Sequence, residues 1–580
     1  MCVRARVWTR VHRTDWQLVL IILLVPEILI TDVYICRGAN SSCFIFMSQY
    51  WYATAEGDAP ETKPVVLWLN GGPGSSSTLG FLQELGPLLL NNTGGLHANP
   101  YAWTKLANVF AIESPVGVGY SYCSAQKEGK VCQNTDKFTA STARAAMVDF
   151  FKTKFPELAQ NDFFITGESY AGVYIPTLAK EILDNAPQIN LVGLAIGDPC
   201  TDNTAQADSM DSVWYSHKYG LIPDAEFDLL WNQCKLRQPN IVMQGGKYAV
   251  REKVKRHVLD RHEVDLGSPE TNLADEDVKT IIRKAIREVV HHPGDDFVGG
   301  GKCNLAYRKF LMSTSHGLSQ GWPHLYIDDY SFFGPGGFDQ EDEDMATYMM
   351  RDDVREALHV SDAPTTTWPH PPQGFDYTSE YDACNWGDIP EGAPSMIDVV
   401  REIAPKLDIV QYYNGDTDPC VSWEGTRTAI VRVGFKEIKG GSMRPWFYNH
   451  TAASIGLIAE KSAMFGPDLL TVPTGAQFGG EYVNYENGLS FMTVHGSGHM
   501  VPAFRPQASL AFIEKVLKRE LLSPLMPSNH TLVEMTDDEF EDAINTWTVG
   551  AMGPPYVGAG IAPNNSPQKL EGDLNEAKTE

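Results

Sequence analysis

One six-residue stretch restricts the fold of this chain more than any other, namely Gly-Glu-Ser-Tyr-Ala-Gly at residues 167–172. An apolar run at residues 163–165 leads into it, and small, helix-compatible residues follow it. Glycine beside serine in this setting is typical of a tight strand–turn–helix connection, which holds the Ser169 Oγ away from the backbone. The usual pattern for such a turn is Gly-x-Ser-x-Gly, and its fifth position is occupied here by Ala171 instead of glycine. Taken alone, the stretch is equally compatible with an ordinary serine at the start of a helix.

A second glycine-rich segment follows a predicted buried strand. The apolar residues 64–69 run directly into Asn-Gly-Gly-Pro-Gly at residues 70–74. Three glycines within four positions indicate that the backbone approaches another group closely. Two interpretations follow from these residues: a tight loop without a ligand, or a loop whose N–H groups face a developing oxyanion. A phosphate-binding loop fits less well, because no Gly-Lys-Ser/Thr follows.

Two later predicted strands end in residue types that carry acid–base chemistry. Residues 407–413 lead into Asn-Gly-Asp-Thr-Asp, which contains Asp416 and Asp418. Residues 489–494 lead in the same way into His-Gly-Ser-Gly-His at residues 495–499. Reactive residues on loops at strand ends fit an α/β sheet. The chain order serine, aspartate, histidine is that of the α/β-hydrolases and of neither major class of serine endopeptidase.

Together these segments resemble those of the serine carboxypeptidases, which are secreted α/β-hydrolases. The matching segments are Trp-Leu-Asn-Gly-Gly-Pro-Gly and Gly-Glu-Ser-Tyr-Ala-Gly, the blocks at residues 99–103 and 113–122, Gly-Asp-Thr-Asp at 415–418 and Gly-His-Met-Val-Pro at 498–502. The resemblance extends from about Val65 to about Leu522. It implies an α/β-hydrolase fold with a central, mostly parallel sheet, flanking helices and an inserted helical cap.

The resemblance also chooses between the competing acids and bases. It implies a catalytic triad of Ser169, Asp418 and His499. Asp416 is then a structural loop residue, and His495 is a loop or strand-end histidine.

Further roles are implied by the same resemblance. Backbone N–H groups of Gly72 and Tyr170 are expected to form the oxyanion hole. The free carboxylate of the substrate is expected to bind Asn70 with the pair Glu84 and Glu168, rather than basic residues. Two carboxyls that share a site cannot both ionise cheaply, so one pKa rises and the protonated group can donate to the substrate. The implied activity is that of a carboxypeptidase acting on the C-termini of peptides and proteins at acidic pH.

Other functions remain open on this fold. Relatives with the same triad pass the acyl group to an acceptor other than water, and a partner-protecting homologue with little peptidase activity is a further alternative. A lipase or esterase is disfavoured by Asn70, Glu84 and Glu168. The chain has no Cys-x-x-Cys pair, so zinc and thioredoxin-type chemistry lack support. No metal and no cofactor are expected. A formal net charge of −27 argues against nucleic acid as a partner.

The N-terminus has the features of a secretory leader. Four arginines lie before residue 14, and an apolar run at residues 18–25 follows before Pro26 and Glu27 interrupt it. This run is short for a membrane span, so we predict a signal peptide within residues 1–38. An uncleaved signal anchor is the second interpretation and would attach the protein to a membrane. Five Asn-x-Ser/Thr sites are compatible with a glycoprotein of the secretory pathway, either extracellular or in a lysosome or vacuole.

The remaining chain is predicted to form one hydrolase core that a cap interrupts. The two parts of the core are residues 45–200 and 338–522. Residues 201–337 form the cap, in which apolar residues recur at helical spacing between 266 and 292. Residues 523–580 contain ten acidic residues and two lysines, and we predict that this tail is disordered.

The ten cysteines offer two candidate disulfide bonds. Cys123 and Cys132 are spaced to close a short loop. Cys234 and Cys303 flank the charged part of the cap. Cys2 is expected to leave with the leader. These pairs are hypotheses, since a sequence does not determine disulfide connectivity.

Overall fold

The computed structural model describes residues 28–37, 44–91, 94–206, 209, 212–220, 222–234, 302–303, 305–306, 309–310, 338–369, 376–384, 392–450 and 475–553. Within these ranges no helix is long and apolar enough to cross a bilayer. The leader predicted at residues 1–38 lies mostly outside them. Its last part forms the first strand, β1 (Ile28–Arg37), which pairs with the next strand along its whole length. A leader that ended at residue 38 would therefore remove an edge strand of the sheet.

The central sheet has eleven strands within the described ranges. After β1 they are β2 (Phe44–Ala53), β3 (Val65–Leu69), β6 (Asn108–Ile112), β7 (Tyr122–Cys123), β9 (Phe163–Glu168), β10 (Leu191–Gly197), β12 (Ile409–Gly415), β13 (Arg444–His450), β14 (Gly475–Asn484) and β15 (Leu489–Val494). Their order across the sheet is β1-β2-β6-β3-β9-β10-β12-β15-β14-β13, and β7 pairs with β2. Two small sheets join β4 (Leu88–Leu90) to β5 (Leu96–Ala98) and β8 (Gln133–Thr135) to β11 (Asp376–Thr378).

The middle of this sheet is parallel. Strands β6, β3, β9, β10, β12 and β15 run in one direction, whereas the outer strands are antiparallel. Strands that are covered on both faces should be apolar throughout, and every residue of β3, β6, β9, β10, β12 and β15 is buried. Because parallel strands present their carboxyl ends at one edge, the loops after β3, β9, β10, β12 and β15 meet there.

Helices cover both faces of the sheet. They are α1 (Ser77–Gln83), α2 (Asp136–Asp149), α3 (Ala171–Asn185), α4 (Asn203–Gln206), α5 (Ser212–Lys218), α6 (Asp224–Asp228), α7 (Phe338–Met349), α8 (Asp352–Ala357), α9 (Met396–Ile403), α10 (Trp423–Arg432), α11 (Val501–Phe504), α12 (Pro506–Lys518), α13 (Asn529–Glu534) and α14 (Asp537–Met552). Side chains alternate along each strand. Val65 and Leu67 therefore join the core beneath α2 and α3, whereas Val66 and Trp68 join the core beneath α1 and α12. This arrangement confirms the predicted α/β-hydrolase fold.

The described part of the cap has a small apolar core of its own. Val213, Ile222, Leu230 and Trp231 pack with two residues from the other end of the insertion, Ala306 and Phe310. The predicted disulfide between Cys234 and Cys303 joins the same two ends. The helix expected between residues 266 and 292 lies outside the described residues.

Two further disulfides lie in the core. The bond between Cys123 and Cys132 closes the predicted short loop, and its prediction is confirmed. The bond between Cys200 and Cys384 was not predicted from the sequence. It connects the end of the first core part to the second, so the chain is cross-linked on both sides of the cap insertion.

The prediction of a disordered tail from residue 523 is wrong as far as Met552. Two helices, α13 and α14, occupy this segment. Three acidic residues stand in the first turn of α14, where they complement the helix dipole. Trp547 Nε1 donates to the Pro524 carbonyl at 3.2 Å, and Ala551 is buried. The acidic composition had suggested disorder, but the charges are concentrated at a helix start. The tail beyond residue 553 lies outside the described residues.

The start of α14 provides a test of this helix. Thr536 Oγ1 accepts from the Glu539 N–H, while the Glu539 carboxylate accepts from the Thr536 N–H at 2.8 Å. We expect Thr536→Ala to destabilise α14 by about 1 kcal/mol, because an N-cap is lost. Hydrogen exchange should accelerate across residues 537–552 and remain unchanged in α12. The exposed neighbour Glu541→Gln serves as the control, and equal exchange in both variants would contradict the assignment.

Candidate active site

The backbone at Ser169 makes a sharp turn between β9 and α3. Its φ of 64° lies in the left-handed region, which is uncommon for a residue with a side chain. Hydrogen bonds hold the turn on both sides. The Ser169 N–H donates to the Gly197 carbonyl at 2.9 Å, and the Ser169 carbonyl accepts from Gly172 and Cys200 at 2.9 and 3.0 Å. The turn that the sequence predicted is therefore present and is fixed by the neighbouring strand β10.

The glycine-rich loop after β3 lies directly against this turn. A Cβ placed on Gly71 would lie 2.3 Å from the Tyr170 nitrogen and 2.7 Å from the Ser169 Cβ, so no larger residue fits. This close approach brings the Gly72 backbone beside the sharp turn at Ser169, which we call the elbow. Within the described residues, the N–H groups of Gly72 and Tyr170 donate to no backbone or side-chain acceptor. Two backbone donors are thus available close to the serine.

A buried histidine–aspartate pair is formed by the loops after β12 and β15. His499 Nδ1 and Asp418 Oδ2 are 2.7 Å apart, with side-chain exposures of 4% and 0%. The other carboxylate oxygen, Oδ1, accepts from the Cys420 N–H at 2.7 Å. Asp418 therefore has donors on both oxygens, and the contact at Nδ1 orients the imidazole.

The competing acid and histidine form a separate pair at the surface. His495 Nδ1 lies 2.8 Å from Asp416 Oδ2, and the His495 side chain is 61% exposed. Asp416 Oδ1 accepts from the Gly496 N–H at 2.6 Å, which ties the loop after β12 to the loop after β15. The hydrogen bond to Asp416 raises the pKa of His495. Asp416 thus occupies a structural position in the loop.

The three residues expected to bind a carboxylate meet beside Ser169. Asn70 Nδ2 donates to Glu168 Oε1 at 2.9 Å and to Glu84 Oε1 at 3.4 Å. The Asn70 Oδ1 in turn accepts from Trp68 Nε1 at 2.7 Å and from the Gly80 N–H at 3.1 Å, so the amide orientation is determined. All three polar side chains are buried, with at most 4% exposure.

The two glutamates are in electrostatic contact. Burial, the neighbouring charge of Glu84 and a hydrogen bond between the two carboxyls raise the pKa of Glu168 well above its usual range. Among the described residues, no basic side chain is one of the main causes of this shift. The pair is therefore expected to hold a proton at acidic pH and to lose it as the pH rises.

The side chain of Tyr170 is anchored below the elbow. Its hydroxyl donates to Asp136 Oδ1 at 3.0 Å and lies 2.7 Å from Ser379 Oγ. The Tyr377 hydroxyl donates to the same Asp136 oxygen at 2.7 Å. Sequence reasoning missed Asp136, because it begins α2, far from the serine in sequence.

A second missed carboxyl, Glu113, lies behind the glycine-rich loop. It accepts hydrogen bonds from the hydroxyls of Ser76 and Thr78, which begin α1, the former at 2.7 Å. A Cβ on Gly119 would lie 2.4 Å from this carboxyl group. Burial raises the pKa of Glu113 to about 7. Glu113 lies in the matching block at residues 113–122, but nothing in the pattern of that block indicates what the glutamate contacts.

Two neighbouring cap residues contact the segment that follows β12 and contains Asp418. The Tyr219 hydroxyl, just after α5, donates to the Asp416 carbonyl at 2.7 Å. Lys218 forms an ion pair with Glu424, and its Nζ lies 5.1 Å from the centre of the Trp423 ring. The described part of the cap therefore rests on the loop that carries Asp418.

Comparisons with known proteins agree with the sequence resemblance. A family model described as serine carboxypeptidase matches residues 46–519. Serine carboxypeptidase-like 34 of Arabidopsis thaliana is 30% identical over 489 residues, covering 82% of this chain and 84% of that protein. Serine carboxypeptidase-like 31 of the same plant is 30% identical over 486 residues, covering 81% and 82%.

A solved structure shares the fold. The crystal structure described as Kex1(delta)p, a prohormone-processing carboxypeptidase from Saccharomyces cerevisiae, matches with a TM-score of 0.57. The match covers 85% of this chain and 92% of that one at 18% sequence identity. At this identity the comparison supports the architecture alone.

The buried Glu113 leads to a prediction about stability and pH. In the unfolded chain a glutamate has a pKa of about 4.3, whereas the folded value is about 7. The folded state therefore binds an extra proton between these values, and its stability falls as the pH rises through them. Glu113→Gln does not titrate, so relative to the native protein it should gain up to roughly 3 kcal/mol between pH 4.5 and 8.

Urea unfolding at both pH values measures this difference. The exposed Glu157→Gln is the matched control and should show no such gain. A stability difference that stays constant with pH for Glu113→Gln would contradict the assignment.

Proposed function

Because the chain belongs to the serine carboxypeptidase family, we propose that it is a serine-type carboxypeptidase that releases C-terminal amino acids from peptides and proteins at acidic pH. The nucleophile is Ser169, the general base is His499 and the acid that orients it is Asp418. Gly72 and Tyr170 donate their N–H groups to the oxyanion. Asn70, Glu84 and Glu168 bind the terminal carboxylate.

The buried cluster of Asn70, Glu84 and Glu168 is the observation that carries this proposal. An endopeptidase or an esterase has no use for two buried carboxyls and an amide directly beside its nucleophile. With Asn70 Nδ2 donating to both glutamates, a protonated carboxyl can donate to an incoming carboxylate, where an ionised pair would repel it. Glu168 precedes the nucleophile in sequence, so the reacting peptide bond lies one residue from the recognised chain end.

The acylation step uses the buried pair. The Ser169 Oγ attacks the carbonyl carbon of the last peptide bond while His499 takes the hydroxyl proton. Asp418, 2.7 Å from His499 Nδ1, holds the ring and stabilises the imidazolium that forms. The carbonyl oxygen becomes an oxyanion between the N–H groups of Gly72 and Tyr170, and one such donor typically contributes roughly 3 kcal/mol to the barrier.

Release and deacylation reverse these transfers. His499 gives its proton to the nitrogen of the leaving amino acid, and the C–N bond breaks to leave an ester on Ser169. A water molecule then gives a proton to His499 and attacks the ester carbonyl. The shortened peptide leaves with a new carboxylate, and the Ser169 hydroxyl is restored.

We propose further that the protein acts in an oxidising compartment of the secretory route, either outside the cell or in a lysosome or vacuole. Three disulfides among the described residues support this location, since such bonds persist where thiols are not kept reduced. An acidic lysosome or vacuole would also keep the Glu84–Glu168 pair protonated. Retention of the native protein in a lysosomal or vacuolar fraction tests the second of these locations.

The recognition of a free carboxylate is tested with a matched pair of substrates. At pH 5 a blocked dipeptide should be cleaved with a kcat/KM at least about 100-fold above that of its C-terminal amide, because the amide offers no charge to the protonated carboxyl. Ser169→Ala should lose activity by about 10⁴-fold or more. Ser361→Ala, on an exposed turn, is the control and should retain full activity. Equal cleavage of acid and amide would refute the proposal.

The pH dependence of substrate binding tests the role of the glutamates. Between pH 4.5 and 7.5 the KM for the free acid should rise by about tenfold, which is roughly 1.4 kcal/mol of lost binding. The physical reason is that the pair loses its shared proton and repels the substrate. Glu168→Gln cannot ionise, so its KM should stay flat over this range. A flat KM in the unaltered protein would count against the pair as the recognition element.

A further inference from the structure

A third buried carboxyl, Asp198, lies against the triad. It follows β10, at the same sheet edge to which β9 and β12 bring Ser169 and Asp418. Its side chain is fully buried, and its φ of 43° places the backbone in the left-handed region. The Asp198 N–H donates to the Tyr413 carbonyl at 2.8 Å, which fastens the residue to β12. Aspartate and asparagine are the residues with side chains that best tolerate such a backbone.

The two oxygens of Asp198 have different surroundings. Oδ1 accepts from the Gly415 N–H at 2.9 Å and from Asn414 Nδ2 at 3.2 Å. Oδ2 is buried and has no hydrogen-bonding partner among the described residues. Oxygen atoms of Asp198 and Asp418 and a ring nitrogen of His499 all lie within 4.8 Å of one another. An unsatisfied carboxyl oxygen is thus buried beside the acid of the triad.

The carboxyls of Asp198 and Asp418 cannot both ionise readily, because they lie close together and are fully buried. Asp418 already accepts on both oxygens, from Cys420 and from His499. Asp198 accepts on one oxygen only, so a proton is held best on its Oδ2, where it can be donated toward Asp418. The other titratable groups around Asp198 are Glu168 on β9, Tyr413 on β12 and His499 after β15.

We propose that Asp198 is a positioning residue that keeps its proton at the working pH and donates it as a hydrogen bond to Asp418. The inference rests on the function proposed above, since it gives Asp418 its role. Burial and the charge of Asp418 raise the pKa of Asp198 well above its usual range, in agreement with the geometry.

This hydrogen bond has a consequence for the base. An aspartate that shares a hydrogen bond attracts the imidazolium proton less strongly than an isolated carboxylate does. The donor behind Asp418 therefore limits how tightly the acid retains a proton on the His499 ring. A triad that must operate in an acidic compartment benefits from such a donor behind its acid.

Asp198→Asn tests the proposal without removing the donor. The amide keeps the acceptor for Gly415 and supplies an N–H to Asp418, so kcat and KM at pH 5 should remain within about threefold of the native values. The native carboxyl, with its raised pKa, contributes stability that is complete below about pH 3.9 and is lost as the pH rises toward the folded value. The melting temperature of Asp198→Asn relative to native should therefore increase by about 3 °C or more from pH 4 to 7.5.

Asp198→Ala removes the donor and gives the complementary result. Its kcat should fall about tenfold with KM within twofold, and the acidic limb of its kcat/KM profile should move to higher pH by about half a unit. Glu168→Gln is the matched contrast, because it should change the pH dependence of KM and leave the acidic limb of kcat/KM in place. If the alanine variant does not fold, the asparagine variant alone decides, since it is nearly isosteric.

Three results would overturn the proposal. They are a large loss of kcat in Asp198→Asn, a stability difference that does not change with pH, and a loss of activity and stability on adding EDTA, which would indicate a cation between Asp198, Asp418 and His499. The stability measurement needs no substrate, and labelling of Ser169 by a fluorophosphonate reports triad reactivity without a peptide. Failure of carboxypeptidase activity is therefore distinguishable from failure of this inference.

Discussion

The left-handed turn at Ser169 is the constraint on which the candidate site depends. A serine held at a φ of 64° is unfavourable by itself. It persists because β10 and the residues after it bond both its N–H and its carbonyl. The same turn leaves room for no side chain at Gly71, so the loop after β3 is pressed against the elbow. One strained residue thereby fixes the position of the Ser169 side chain, the adjacent N–H of Tyr170 and the approach of the glycine-rich loop.

The environment around this turn is rich in buried carboxyls. Glu168, Asp198 and Glu113 all have a pKa raised mainly by burial, and each has a different neighbour. Glu168 faces another glutamate, Asp198 faces Asp418, and Glu113 faces two hydroxyls at the start of α1. In each case burial favours the protonated form of the carboxyl at low pH. Protonation is thus part of the structure at low pH, and we expect both stability and substrate binding to weaken together as the pH rises.

The tail and the disulfides show where pattern reading was incomplete. Charge composition suggested disorder after residue 523, yet the acidic residues form the first turn of α14 and the apolar ones follow at helical spacing. The helix cap and the helix dipole favour acidic residues at this position, so the acidic composition of the tail did not indicate disorder here. Cys200 and Cys384 are 184 positions apart, so no local spacing indicated their bond. The two pairs predicted from the sequence flank a short loop and one insertion, where spacing is informative.

The sequence by itself determined the fold class and the order of the elements and indicated Ser169 as a candidate nucleophile, because these depend on apolar runs, glycines and motifs that are contiguous in the chain. Choosing Asp418 over Asp416 and His499 over His495 required family resemblance. In the structure the Asp418–His499 pair is buried, whereas the Asp416–His495 pair is at the surface. Only the tertiary structure brought Asp198, Asp136 and Glu113 to the site. Their partners lie on other strands and loops, and the proton that each carboxyl holds depends on burial. Burial belongs to the packed molecule and to no single segment of the sequence.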